Sequence, residues 1–589
     1  MRRSGSGNDS AMMQHETDAC QETYTLEEIL AEFRAEPLPP PESPPSHPQS
    51  GSSNLERLYR QTRASVQGRP LRLGLCLVLT LCGLTLGVLR CEGMLEQFPS
   101  WTLLTYLEMS LLLCCTLLSA DAIAGSLVEL PRSGFQLPCL MPLLILLALA
   151  DSIVSLRSPR ATYCPLVCLE LCAALWGAQL RDKALCSTLE PARKGPGHVL
   201  ARDPAFWKEQ PGICECPWQE DAFLRANRTG SEPERQLGIG YGVFLLLCIL
   251  LAGLASPTSP AGFLRVFTAG AVVSTPLSGF LFWARPWAVL TKQLQQQGAA
   301  LYGWAGVKAM GSRLVVPIHQ KDLFPGEHLK LNGMKIYSHF QPEHVIACAE
   351  AVLRAAGCSL APLFQQLLAQ RGAAPCTASR FRWYNLGGIG GEIDRTTLLV
   401  GNLRFMAAMG VELPAGTRVQ QAVYVAIDGE LAGLFAVHYA PARSVAEALH
   451  RLCRVRSAAP VLAAQDFLLT GATLKSRFRL YKAQILVPDL NTQWAMGQQT
   501  PSEHASACLL TGQTSFPSLT LAVSGSQSLC SAARWGLTLC LLSSLGGVLL
   551  VTLAAAVHAT ELLSLTCLLL YSLTWLLPGL LITIWTQNC

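Results

Sequence analysis

Charge is scarce in this sequence: Asp, Glu, Lys and Arg supply 14% of its 589 residues, whereas 50% are hydrophobic and the mean hydropathy is positive. That shortage excludes an ordinary soluble enzyme and points to a polytopic membrane protein. The first 70 residues lack an apolar run that could serve as a signal-peptide core, so no cleavable leader is expected. In the polar middle of the chain, LVVPIHQKDLFPGE at 314–327 starts like a strand and ends like a turn, with no aspartate where the strand gives out.

What is abundant is apolar sequence long enough to cross a bilayer. The runs 72–89, 102–124, 135–156, 162–180, 237–255, 261–283, 534–556 and 562–585 give about eight spans, at roughly 20 residues each. An even count puts both termini on one side of what is expected to be the cell membrane. Arg57, Arg60, Arg63, Arg69 and Arg72 crowd the entry to the first span, which makes that side the cytoplasm. Arg157 and Arg160 oppose this, but the assignment keeps the long stretches 181–236 and 287–530 inside as well.

The tail 1–70 divides in two. TYTLEEILAEFRAE opens with a Thr25/Glu28 capping box and spaces Leu26, Ile29, Leu30 and Phe33 helically, so 25–36 reads as a short acidic helix that could dock a protein partner. PLPPPESPPSHPQSGSS has nothing to bury and reads as a linker. The partners expected are therefore the lipid bilayer and a protein reached through 25–36, with no nucleic acid.

Many of the 23 cysteines lie in spans, where cysteine behaves as a small hydrophobe. Cys164, Cys168 and Cys172 share a helical face that could present thiolates to a soft metal such as Cu(I), although packing is the more frequent use of such a face. Cys214 and Cys216 form a lone CxC that supplies two of the four ligands a closed site needs. Glu108, Asp121, Asp151 and Glu170 fall in or near the first four spans, where each costs on the order of 2.5–3.5 kcal/mol unless paired or hydrated. Glu108 and Glu170 are the deepest of these.

In 287–530, RLVVPI and APVLAAQD read as buried strands and SVAEALHRLCRV as an amphipathic helix. Asp428-Gly429 marks a tight turn between YVAI and ELAGLFAV. Alternating strands and helices imply an α/β domain with a smaller α+β insertion.

These words in this order resemble a P-type ATPase of the heavy-metal, CPx class, over roughly residues 70 to 586. The resemblance rests on LLVGNLRFMAAMGVELP followed by YVAIDGELAGLFAV, on STPLSGFLFWARP at the end of span six, and on the cytoplasmic inserts after spans four and six. It implies a multi-span α-helical membrane protein with a cytoplasmic α/β HAD-like P-domain carrying an inserted α+β nucleotide-type domain. The implied organisation is a tail (1–70), spans one to four (71–180), a truncated actuator-like loop (181–236) and spans five and six (237–286). The phosphorylation and nucleotide domains (287–530) and spans seven and eight (531–589) follow. It further implies ATP and magnesium as cofactors, though neither is secured by the motifs that remain.

Laid onto this chain, the family's Cys-Pro-Cys becomes Thr275-Pro276-Leu277, keeping the proline and losing both thiolates. The phosphorylated aspartate falls on Ile318, which cannot accept a phosphoryl group, and Asp322 is the nearest replacement. The hinge acid is kept as Asp466, and Gly388 and Gly390 match the glycines of the nucleotide pocket. The magnesium-binding acids have no counterpart, and TGSE at 229–232 only rearranges the actuator's Thr-Gly-Glu. Three functions stay open: a pseudo-pump that scaffolds, senses or regulates; a metal-cation transporter with altered chemistry and a path along Pro276, Glu108 and Glu170; and a receptor for a nucleotide or other small ligand.

Overall fold

The computed structural model describes residues 54–94, 101–157, 160–195, 197–256, 259–324, 328–337, 339–378, 380–414, 419, 421–480, 485–497, 499–512 and 515–585. The expected helix 25–36 and its linker lie outside them.

Seven described helices are long and apolar enough to cross a membrane, and a bent pair brings the number to eight if it is counted as one span. They are α1 (Asn54–Cys91), α2 (Trp101–Ser133), α3 (Met141–Ser155), α4 (Cys164–Lys194), α6 (Glu232–Ala255), the pair α7 (Pro260–Ser274) and α8 (Ala284–Gln296), α17 (Ser515–Ala556) and α18 (Leu565–Trp585). The pair bends by 48° at Thr275-Pro276, where proline offers no N–H to continue the ladder. Span four is the most enclosed, and its Gly177 lies so close to the carbonyl of Phe280 that a Cβ would sit 2.4 Å from that oxygen.

Two helices overrun the expected boundaries. α1 starts at Asn54, well before residue 71, because Leu55 and Tyr59 are buried against Leu189, Ala192 and Phe223. α17 starts at Ser515 and carries the chain from the cytoplasmic sheet into the membrane without a break.

Outside the membrane the described residues build two six-stranded sheets. The first has the order β11 (Ala458–Leu462), β4 (Leu314–Ile318), β2 (Gln210–Cys216), β1 (His198–Trp207), β12 (Ser506–Thr511), β3 (Ala300–Leu301). β11 and β4 pair in parallel from Ala458/Leu314 to Leu462/Ile318; all five residues of β4 are buried, as suits a parallel strand covered on both faces. The second sheet is antiparallel, in the order β5 (Leu329–Ile336), β10 (Glu430–Tyr439), β9 (Ala422–Ile427), β8 (Thr396–Gly401), β7 (Gly388–Ile393), β6 (Arg380–Tyr384). It is inserted between β4 and β11, with α11 (Pro342–Ala355) packed against it. The chain returns through α14 (Arg443–Leu452).

The loop after span four does not stand apart as a small actuator-like unit. Its hairpin β1–β2 lies inside the first sheet, with β1 antiparallel to β12 and β2 parallel to β4 at Gly212/Val315. Trp207 and Gln210 close the hairpin around Lys208 and Glu209, both at positive φ, a mirror-image turn that normally calls for Gly or Asn.

Candidate functional site

The parallel strands β4 and β11 end side by side, and the chemistry of the cytoplasmic region converges there. β4 delivers Ile318, 1% exposed, whose carbonyl accepts from the N–H of Ala463 at 2.9 Å. His319 follows; its Nδ1 lies 3.1 Å from the carbonyl of Ala463, and its side chain also accepts from the backbone N–H of Asp322. The backbone N–H of His319 donates to Asp322 Oδ2 at 3.0 Å, so Asp322 caps the short helix α10 (Gln320–Leu323).

The second acid is equally committed. Asp466, fully buried after β11, accepts from the Tyr439 hydroxyl at 2.6 Å and from the N–H of Leu468 at 2.9 Å. Burial raises its pKa to about 6, and these hydrogen bonds hold the rise in check. The Tyr439 hydroxyl is pushed upward by burial and by the neighbouring carboxylate. Since Tyr439 ends β10, this bond fastens the inserted sheet to the strand ends of the first.

Between the strand ends and the hairpin lies a cavity of about 410 Å³, with Leu200, Phe206, Ile213, Met496 and Leu519 among its walls and His319, Gln320, Lys321, Asp322 and Glu215 among its polar lining. Gln320 is 5% exposed and its Nε2 has no hydrogen-bond partner. Apart from Cys214 and Cys216, the sequence singles out neither Gln320 nor the hairpin residues. Gln320 sits inside the IHQKD string, but the strands that wall the cavity lie about a hundred residues upstream, with no local signal to connect them.

A magnesium ion does not fit these groups. One candidate carboxylate caps a helix and the other is enclosed by a tyrosine and backbone amides. Among the described residues, no group of three or more His, Cys, Asp or Glu is placed to hold a metal ion. That covers Cys164, Cys168 and Cys172, and likewise Cys214 and Cys216. Cys164 instead meets Ser152 at 3.0 Å, while burial raises the Cys214 pKa to about 11, keeping it a thiol.

The glycines expected to admit a nucleotide are packed from within. A Cβ on Gly388 would lie 2.1 Å from the Phe405 ring, and one on Gly390 would lie 3.1 Å from Tyr384. The missing side chains make room for this chain's own aromatics. Gly388→Ala should therefore cost about 1–3 kcal/mol through overpacking, read as a lower melting temperature; an unchanged value would mean that Phe405 yields freely.

In the membrane, Glu108 is held in an ion pair. Its Oε2 takes Arg90 Nη1 at 3.0 Å and the Thr162 hydroxyl at 2.5 Å, and both ion-pair side chains are fully buried. Asp151 pairs with Arg160. Glu170 differs: it is 3% exposed and its Oε2 has no partner. At the helix break the Thr275 hydroxyl donates to Tyr241 Oη at 2.6 Å, and Tyr241 donates to the Ala271 carbonyl at 2.7 Å.

No family model and no curated protein matches the chain. Among solved structures it is similar to two of zinc-transporting PIB-type ATPases. One matches at 13% identity and TM-score 0.38, over 82% of this chain and 98% of that one. The other, in the E2.Pi state, matches at 12% and 0.39, over 88% and 99%. The catalytic domain of the CPx-ATPase CopB-B, described for its conformational changes on nucleotide binding, is similar at 11% and 0.23, over 33% and 69%.

Proposed function

We propose that this is a membrane protein of P-type-ATPase-like build that forms no aspartyl phosphate and serves as a scaffold, sensor or regulator, with both termini in the cytoplasm. One observation carries the reading: the strand that would deliver the nucleophile delivers buried Ile318, while Asp322 and Asp466 are both engaged in structural hydrogen bonds. The hairpin β1–β2 supports it, because a loop hydrogen-bonded into the same sheet as β4 is not free to swing through a transport cycle. ATP and magnesium are what the resemblance implies, and the same experiment tests them.

The purified chain is incubated with radiolabelled ATP and magnesium, beside Asp322→Asn, and tested for a hydroxylamine-sensitive acyl phosphate. No label in either is the expected result. Label in the parent that is lost in the variant would make Asp322 a nucleophile and the chain an unorthodox pump. That transporter reading has Glu170 in its favour, a partnerless carboxylate inside span four. Under it, Glu170→Gln abolishes cation-stimulated ATP turnover.

A further inference from the structure

We propose that the end of the first sheet nearest the bilayer is a docking surface for anionic phospholipid, of the kind whose headgroup carries more than one phosphate. The surface lies at the entries of β4 and β11, opposite the cavity, and it does not depend on whether the chain phosphorylates itself.

Three segments meet there. Arg313 immediately precedes β4, and Arg454 and Arg456 lie in the turn that leads into β11; the N–H of Leu314 donates to the Ser457 carbonyl at 2.9 Å, which holds the two strand entries side by side. α9 (Gly303–Gly311), just ahead of β4, packs on α17 so closely that a Cβ on Gly311 would lie 3.0 Å from the Ser526 carbonyl and 3.1 Å from Cys530 Sγ. α14, with Arg451 in its last turn, packs on α17 as well. One turn past Cys530, Arg534 donates from Nε to the Cys530 carbonyl at 3.4 Å. Arg313, Arg451, Arg454, Arg456 and Arg534 are all exposed.

Charge and depth define the partner. The stretches 303–318, 448–465 and 515–560 contain no Asp or Glu. Lys308 is engaged by Glu232 and Arg443 by Glu447, but among the described residues the five arginines have no carboxylate partner. Arg534 opens the apolar run of span seven, and Trp535, 61% exposed, begins a face that continues through exposed Leu542 and Leu549. Arginine and tryptophan at the end of a lipid-facing stripe mark the headgroup level. At about 1.5 Å per residue, Cys530 stands ~6 Å and Ser526 ~12 Å above Arg534 along α17. The entry to β4, two residues from Gly311, is therefore within reach of a phosphorylated headgroup that projects from the surface. Clusters of roughly four to eight basic residues beside a span recruit anionic lipid in this way, whereas a zwitterionic headgroup brings no net charge.

The test titrates the full-length protein in neutral detergent with phosphatidylinositol bisphosphate, phosphatidylserine and phosphatidylcholine, and counts bound lipid by native mass spectrometry. The bisphosphate lipid should bind about tenfold tighter than phosphatidylcholine or better, with phosphatidylserine between them. Arg313→Gln, Arg454→Gln and Arg456→Gln should each weaken it about fivefold, the worth of one basic residue at an anionic surface. Arg443→Gln, whose guanidinium already answers Glu447, should leave it unchanged. Melting temperatures should stay at the parent's value, because the altered side chains are exposed, so lost lipid is not lost fold. The proposal is overturned if the bisphosphate lipid binds no tighter than phosphatidylcholine, or if the three arginine variants bind it as the parent does. It is equally overturned if free inositol trisphosphate binds as tightly as the lipid, which would make this a site for a soluble phosphate compound.

Discussion

Arg90→Leu should destabilise the folded chain by about 3–5 kcal/mol, the usual consequence of stripping one partner from a buried ion pair. Arg90 closes span one and Glu108 lies in the first turns of span two, both with fully buried side chains. The guanidinium also donates to Thr105 at 2.9 Å and stacks on Trp101, its carbon 4.2 Å from the ring centroid. Without it, Glu108 keeps only the Thr162 hydroxyl and stands as an uncompensated charge in an apolar setting. Replacing both residues by leucine should recover most of the loss, since a buried pair costs nearly as much to desolvate as its attraction returns. Apparent melting temperature and the monodisperse fraction in detergent measure both variants. A single variant no worse than the double would mean that Glu108 is already neutral or hydrated, which would reopen a place for it on a cation path.

The second large effect concerns Asp466 and pH. Its carboxyl holds a proton more tightly folded than unfolded, the pKa rising from the ordinary 3.8 to about 6 with burial as the leading cause. A raised acid favours folding only while protonated. Its contribution is therefore intact below the unfolded pKa, declines as pH climbs between the two values, and above about 6 levels off roughly 3 kcal/mol lower. Asp466→Asn keeps the shape and still accepts from Leu468, but carries no charge. The stability difference between variant and parent should thus grow in the variant's favour from pH 4 to pH 7 by up to roughly that amount. Comparison within the pair cancels carboxylates whose values are lowered, such as Asp203 and Asp489. A difference that does not move with pH would show Asp466 ionised throughout. Asp466→Ala should be destabilising at every pH, leaving Tyr439 and Leu468 unpaired in a closed core.

The parts of this molecule legible in its sequence are those written in local periodicity. Apolar runs marked the seven long helices and the bent pair at Pro276, because chain length against bilayer thickness and a missing N–H are properties of a few consecutive residues. The strands RLVVPI and APVLAAQD were legible for the same reason, as was the Asp428-Gly429 turn, where both residues have positive φ. Pairing across hundreds of residues was not. Nothing in HVLARDPAFW or QPGICEC announces that they complete a sheet with Leu314–Ile318 and Ser506–Thr511. Gly388 is a related case: a glycine records that space is needed, and only the fold reveals that Phe405, just past the neighbouring strand β8, packs into it. Acids were legible as costly positions, but whether each was paired, as Glu108 is, or left alone, as Glu170 is, depended on which helices became neighbours.

The interleaving of the first sheet also dictates the order in which the protein can be made. Its strands come from residues near 200, 300, 315, 460 and 510, so no ribosome-bound chain shorter than about 510 residues can close it. Spans one to six must then be inserted and packed while that sheet is still open, its β1 waiting for the partner that β12 supplies. Such distant pairings make for slow folding and long exposure of sticky strands, and they make β12, with the unbroken helix α17 that follows it into the membrane, the step that completes the sheet.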